Sequence, residues 1–370
     1  MKCTQTPKLL LPSILLLLSA CGGGSGDGTD SSTPVAAADS ANSVGAPDAR
    51  ALSVHPLRRT IPSVGASPAA SAVSVSDSVR IAAATATAQS TTNLCAPIHP
   101  FYWEIGTGAG RVASGSLTSP MVATKYTSTL PVSLASASKW IYGSYVAQHT
   151  NGVLSAQDIK YLNMRSGYTN FSNCLQNQTV DQCLAYAGNG SYNATTDGAF
   201  YYNGGHMEKH ASLTGLGGMN NQMLAATIQG QLGSDVKIGY SQPMLAGGSY
   251  ATPDAYAIFL RKIINKQLRI SDLLGSNPAC TNQLTCPGQA ISAPIPLSES
   301  WHYSIGHWVE DDPVVGDGAF SSPGYLGFYP WIDASRSYYG IIARVMPQGG
   351  LASMQCGRLI RKAWETGTAL

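Results

Sequence analysis

SLASASKWIYGSYV, residues 133–146, sets a serine three positions ahead of a lysine at the mouth of an apolar run. Ser136 and Lys139 fall about one helical turn apart on one face, so their side chains can meet. A serine hydroxyl is a weak nucleophile at neutral pH and needs a neighbour that takes its proton. Lysine does this only as the neutral amine, a form favoured by burial, by nearby cations and by the positive potential of a helix N-terminus. The bland alternative is polar punctuation at the start of a buried helix. Spacing alone does not decide, because Ser234 and Lys237 in GSDVKIGY repeat it in what reads as a turn leading to a strand.

The chain has 370 residues, and its two ends differ in kind. Residues 9–20, LLLPSILLLLSA, form a short apolar core behind Lys2 and Lys8, the layout of an export signal and too short to span a bilayer. The LSAC that ends at Cys21 resembles the lipobox of bacterial lipoproteins, with a Gly/Ser-rich tail behind it. That resemblance implies cleavage before Cys21, which leaves that residue as a lipidated N-terminus, and membrane attachment through the lipid in the cell envelope. Gly22 in place of Asp after the cysteine implies the outer membrane. Residues 22–92 are mostly Ala, Ser, Gly, Thr and Pro with few large side chains to bury, and they read as a disordered tether to a folded domain over 93–370. Within the tether, AVSVSDSVRI (72–81) has enough β-branched residues for a local strand or helix.

The formal net charge is +2, and no basic run is present, so nothing marks a nucleic-acid partner. Charged residues make up only 11% of the chain, which suits an exported protein whose polar surface is Ser, Thr, Asn and Gln. Beyond Cys3 and Cys21 lie Cys95, Cys174, Cys183, Cys280, Cys286 and Cys356, an even number that favours disulfides in an exported chain. Local proximity pairs Cys174 with Cys183 and Cys280 with Cys286, which leaves Cys95 for Cys356. Fifteen pairings are open in principle. No metal or cofactor site is indicated: CxxC and HxxxH patterns with a full ligand set are missing, and His206 with His210 lacks an evident third ligand.

Residues 100–117 read as a hairpin, followed by a helix from about Ser136, a helix N-capped by Ser155, and helices over 179–187, 207–230 and 253–265. The period then changes. WHYSIGHWVE (301–310), YLGFYPWID (325–333) and YYGIIARVM (338–346) read as strands, and 351–365 as a closing helix. His302 and His307 have opposite strand parity and are taken as structural. The fold class is α+β: an antiparallel sheet built from both ends of the domain and flanked by helices, with a helical insertion over about 137–300.

Three further segments bear on Ser136 and Lys139: FYYNGGHMEKHASL (200–213), MLAGGSYATPDAYAIFLRKIIN (244–265) and SSPGYLGFYPWID (321–333). With SxxK they resemble, in order, the serine β-lactamase and penicillin-binding superfamily, above all its class C-like esterases and peptidases, over about residues 95–370. Tyr201-Tyr202-Asn203 matches the family's YxN element, and Ser322-Pro323-Gly324 stands where its KTG or HTG strand element falls. The resemblance implies that Ser136 is the acylated nucleophile and that Lys139 and Tyr201 share the proton traffic. It also implies that Asn203 orients Lys139 or the substrate, that Gly324 admits the substrate beside the strand, and that the N–H groups of Ser136 and Tyr325 form an oxyanion hole.

The third element departs from the family. Ser322-Pro323 carries no cation, and proline removes a backbone donor. This favours a small ester or amide substrate without an essential carboxylate over a D-alanyl peptide or a β-lactam. A non-catalytic envelope-binding lipoprotein on the same fold is the remaining alternative.

Overall fold

The structure, a computed structural model, describes residues 75–370; the export signal, Cys21 and most of the tether lie outside the described residues. No helix among those residues is long and apolar enough to cross a membrane. The helices are α1 (Asp77–Gln89), α2 (Ser138–His149), α3 (Ala156–Leu162), α4 (Val180–Ala185), α5 (Gly205–Ala211), α6 (Asn221–Leu232), α7 (Pro253–Ile264) and α8 (Gly350–Thr366). The strands of the main sheet are β1 (Phe101–Thr107), β2 (Gly110–Leu117), β7 (Ala279–Cys280), β9 (His302–Ser304), β10 (His307–Glu310), β11 (Ala319–Ser321), β12 (Tyr329–Ile332) and β13 (Tyr338–Ala343). Short strands β3 (Val132–Ser133), β5 (Ile238–Tyr240) and β6 (Ser249–Ala251) form a second sheet, and β4 (Phe200–Tyr201) pairs with β8 (Ala290–Ser292).

The main sheet runs β2-β1-β13-β12-β11-β10-β9-β7, antiparallel throughout, so the first hairpin closes against the last strand of the chain. This is the α+β architecture expected from the sequence, with the helical region inserted between β2 and β7. Strand alternation divides the two faces of the sheet. Tyr338 hydrogen-bonds Glu365 of α8, whereas Tyr339, its neighbour, meets Arg261 of α7 and Glu104 of β1. One face therefore carries α1 and α8, and the other carries α7 and the inserted helices.

Several local expectations change. Residues 77–89, assigned to the tether by composition, form α1, with Ala83, Ala84, Thr87 and Ala88 buried. Small side chains bring α1 close to α8, Arg80 lies over the Trp364 ring, and Asn93 donates to the carbonyl of Leu370. A short apolar inventory suffices there because it docks on an existing surface. The stretch 207–230 is two helices: α5 ends in a π turn at Ser212–Leu216, where Gly215 has φ +91°. WHYSIGHWVE is a hairpin and not one strand, turning at Ile305 and Gly306 (φ +41° and +82°). Parity across that turn consequently says nothing about the two histidines. His302 pairs with exposed Asp311, while buried His307 stacks on Trp140 and accepts from the N–H of Gly275. Neither reaches the candidate site. Ser155 caps α3 in a reciprocal capping box with Asp158, as its position predicts.

The disulfides are Cys95–Cys356, Cys174–Cys183 and Cys280–Cys286, the pairing that proximity suggests. The first closes a separation of 261 residues between the start of the fold and α8. In chain-entropy terms such a crosslink restricts the unfolded chain by about 5 kcal/mol.

Between α8 and the sheet lies a buried ionic network. Glu310, fully enclosed, accepts from Arg358 Nε at 2.8 Å, Arg361 Nη2 at 2.9 Å and Tyr329 Oη at 2.7 Å, and Arg361 continues to Asp317. Burial alone would raise the Glu310 carboxyl, but Arg361 and Arg358 overcome it and hold it at about 2. Since this is below the ordinary value of 4.5, its contribution to stability is full above pH 4.5 and is lost as pH falls toward 2. Arg361→Met should cost about 1.5–3 kcal/mol at pH 7, because Glu310 keeps Arg358 and Tyr329 but loses one of its two guanidinium partners and Asp317 loses its own. Urea unfolding at pH 7 and pH 3 should show the wild-type advantage over the variant shrinking at the lower pH.

Candidate active site

Ser136 stands in a single 3-10 turn, Ala135–Ala137, at the entry to α2. Ala135 before it adopts φ +44°, a left-handed conformation that costs an alanine energy and that the surroundings must enforce. They do so on three sides. Leu134 N–H donates to Ser249 of β6, Tyr256 Oη of α7 donates to the carbonyl of Ala137, and Ser138 Oγ donates to the carbonyl of Ala135. Ser136 itself stays partly exposed.

Lys139 is 4% exposed. Its Nζ lies 2.9 Å from Ser136 Oγ and donates to the carbonyl of Ala246 at 2.8 Å. Burial pushes the amine down from 10.5 to about 7, with the charge of Glu208 acting the other way. The helix that carries Lys139 is seated by backbone contact. A Cβ on Gly306 would lie 2.4 Å from the Lys139 carbonyl oxygen, and one on Gly143 would lie 2.3 Å from that of Ile305. Only glycine permits the β9–β10 turn to press against α2 so closely.

The tyrosine that meets this pair is Tyr202. Its ring centroid lies 4.7 Å from Lys139 Nζ. Burial raises its hydroxyl to about 12, and hydrogen bonding with Ser136 and Trp308 opposes that rise. Tyr201 begins the YxN match and is the tyrosine expected in this place. Strand alternation decides otherwise: Phe200 and Tyr202 pack together against Tyr303 and Trp308, so Tyr201 between them projects to the other side. The Tyr201 backbone holds the strand in place, its N–H donating to Met164 and its carbonyl facing His206 Nε2.

Asn203 is likewise occupied elsewhere. Its Oδ1 accepts from the N–H groups of Phe171 and Gly205, and its Nδ2 donates to the carbonyl of Phe171. It braces the chain after Tyr202 and does not reach Lys139. Ser322 is buried, and its Oγ donates to the Ser136 carbonyl at 3.2 Å, tying the strand segment to the serine turn instead of facing a ligand. Gly324 meets the expectation of close approach, but against protein: a Cβ there would lie 2.2 Å from the Leu134 carbonyl oxygen. Segments 134–136 and 322–324 thus run side by side. Beyond them, the backbone N–H groups of Ser136 and Tyr325 donate to no carbonyl among the described residues. The control pair behaves as a control, since Ser234 and Lys237 are both exposed on the surface.

Glu208 is the residue of this neighbourhood that motif reading passed over. It is fully buried, burial raises its carboxyl well above the ordinary range, and its Oε2 accepts from Leu245 N–H, next to the Ala246 carbonyl that receives Lys139. Cys174 and Cys183 approach it closely enough to form a three-donor cluster, but both sulfurs are committed to a disulfide. The arrangement as a whole can place a low-pKa amine and a protonated phenol against one serine oxygen in a partly open cleft.

No family model matches the chain, and no curated protein matches it in sequence. Solved structures do match in fold. EstCE1, a hydrolase with promiscuous acyltransferase activity, superposes with a TM-score of 0.57 at 11% identity, over 78% of this chain and 99% of its own. Unliganded simvastatin synthase LovD from Aspergillus terreus gives 0.51 at 11% identity, over 78% and 98%. A β-lactamase-like protein from Bacteroides dorei gives 0.50 at 17% identity, over 70% and 93%. The fold is accordingly the β-lactamase/transpeptidase fold.

Lys139 supplies a test that needs no substrate. Its folded pKa is below its unfolded one, so the desolvation penalty is fully present below pH 7 and disappears as pH rises through the window from about 7 to 10.5. Relative to Lys139→Met, the wild type should gain about 3–4 kcal/mol of unfolding free energy between pH 6.5 and pH 10. Denaturant titrations of both proteins at the two pH values would measure it.

Proposed function

We propose that the chain is a serine hydrolase that forms an acyl-enzyme on Ser136 and acts on small esters or amides. The observation that carries this reading is the 2.9 Å approach of a buried, low-pKa Lys139 amine to Ser136 Oγ. With a pKa of about 7, Lys139 is substantially neutral at physiological pH and can accept the serine proton as Oγ attacks the carbonyl carbon. Tyr202, whose pKa is about 12, is protonated under the same conditions and is suited to pass a proton to the leaving oxygen or nitrogen. The oxyanion formed on attack is taken up by the N–H groups of Ser136 and Tyr325, each such donor contributing about 3 kcal/mol in comparable sites. In the second half, water replaces the leaving group. The Lys139–Tyr202 pair, in which the serine proton has replaced the one given to the leaving group, takes a proton from that water and returns one to Ser136 Oγ as the new oxyanion collapses.

A D-alanyl peptidase or β-lactamase is less favoured, because Ser322 is turned into the protein and Pro323 brings no charge to where a substrate carboxylate would be read. Acylation by labelled penicillin is the result that would restore it. We also propose that Cys21 carries a lipid anchoring the protein to the bacterial envelope, on the strength of LSAC and the Gly/Ser-rich tail. Incorporation of labelled palmitate in a bacterial host, abolished by Cys21→Ser, is the expected outcome.

A fluorophosphonate probe should label the wild type and Ser234→Ala but not Ser136→Ala. Tyr202→Phe should lower kcat/KM on p-nitrophenyl esters by about 10²–10⁴-fold, while Tyr201→Phe stays within about threefold of wild type. Activity should rise with pH through an apparent pKa near 7 as Lys139 loses its proton. Failure of the probe to label at any concentration would return the chain to the non-catalytic binding reading.

A further inference from the structure

We propose that Phe171 and Met244 form an apolar wall beside Ser136, and that this wall selects uncharged esters carrying an apolar group of several carbons. The inference rests on the acyl-enzyme reading of Ser136 and adds a substrate class to it. Both side chains are partly exposed, as are Ser136, Tyr202, Gly204 and Gly247. Met244 reaches the serine turn. A Cβ on Gly247 would lie 2.9 Å from Met244 Cε and 3.9 Å from the carbonyl carbon of Ala135, the atom bonded to the Ser136 nitrogen. Phe171 reaches the surroundings of the proton-transfer pair. A Cβ on Gly204, two residues after Tyr202, would lie 3.0 Å from Phe171 Cδ1 and 3.2 Å from Ala246 Cβ. The carbonyl of that same Ala246 accepts from Lys139 Nζ.

The wall is held from behind. Asn203 clamps the Phe171 backbone at two points, its Oδ1 accepting from the Phe171 N–H and its Nδ2 donating to the Phe171 carbonyl, each at 3.2 Å. Asn203 is therefore a positioning residue that acts through Phe171. Cys174, three residues on, is bridged to Cys183, and its Sγ lies 3.4 Å from the Pro243 carbonyl oxygen, which packs the Phe171 segment against the Met244 segment. A wall fixed in this way meets a ligand at little further cost in ordering. Charge is missing from the segments around the serine: residues 168–175, 241–250 and 320–328 contain no Asp, Glu, Lys or Arg. Glu208 nearby is fully enclosed. A charged substituent placed here would lose water and gain no partner, whereas an apolar one is favoured in proportion to the area it covers.

The apolar group belongs either to the acyl or to the alcohol part of the ester, and two arms of one experiment on the full chain separate them. The expected wild-type result is a kcat/KM about tenfold or more higher for p-nitrophenyl hexanoate than for the acetate, or for hexyl acetate than for methyl acetate. The arm that shows the preference identifies the part. The p-nitrophenyl monoester of adipate, with a terminal carboxylate, should fall about tenfold or more below the hexanoate. Ratios are compared so that a loss of folded enzyme cancels. Phe171→Ala and Met244→Ala should each lower the chain-length ratio about threefold or more. Asn203→Ala should lower it too, with the apparent pKa near 7 unmoved. Met244→Gln gives the same reading should the alanine variants not fold. Equal kcat/KM along both arms, adipate cleaved as well as hexanoate, or a wild-type ratio retained in both wall variants overturns the wall and leaves the acyl-enzyme reading standing. Absence of fluorophosphonate labelling in the wild type overturns that reading, and the wall with it.

Discussion

The Lys139 amine is withdrawn from water and left with two oxygen neighbours, Ser136 Oγ and the Ala246 carbonyl. Everything proposed for the site depends on that desolvation. A solvated lysine three residues from a serine keeps its proton and can take none from a hydroxyl. Burial makes the neutral amine accessible near pH 7, at a cost to stability that the rest of the fold must absorb. Glu208 moderates this from beneath. Its carboxyl resists ionisation in the same enclosed volume, yet its charge, where present, draws the proton back toward Lys139.

Holding the amine there is a backbone matter. The β9–β10 turn presses on α2 through Gly306 and Gly143, and segment 322–324 presses on the serine turn through Gly324 and Ser322. These contacts are backbone to backbone and leave little room for adjustment. They explain why residues that a motif comparison assigns to substrate are occupied with the protein. Ser322 is a strut that ties its segment to the serine turn, and the backbone N–H of Tyr325 donates to no carbonyl among the described residues.

The opposite face of the sheet does a different job. There α8 and α1 complete the core, the Cys95–Cys356 bridge joins the start of the fold to its last helix, and Glu310 gathers Arg358 and Arg361.

Order along the chain was enough to indicate the α+β class, the hairpin–helices–strands–helix succession and the two local disulfides, each of which follows from periodicity or spacing within a short stretch. Cys95–Cys356 follows in the sequence only as the remainder of that local pairing, and spacing alone does not separate Ser136–Lys139 from Ser234–Lys237. What tertiary structure decided lies in the contacts between distant segments. Tyr202 replaces Tyr201 because Phe200 and Tyr202 share the face that packs on Tyr303 and Trp308, a partner surface a hundred residues away that the FYYN string does not display. Helix α1 forms in an alanine-rich stretch because α8 waits to receive it, and composition alone cannot register a docking surface at the other end of the chain. The seating of Asn203 and Ser322 is of the same kind: a polar side chain bonds to whatever the fold brings near it, and neighbours in space are not neighbours in sequence.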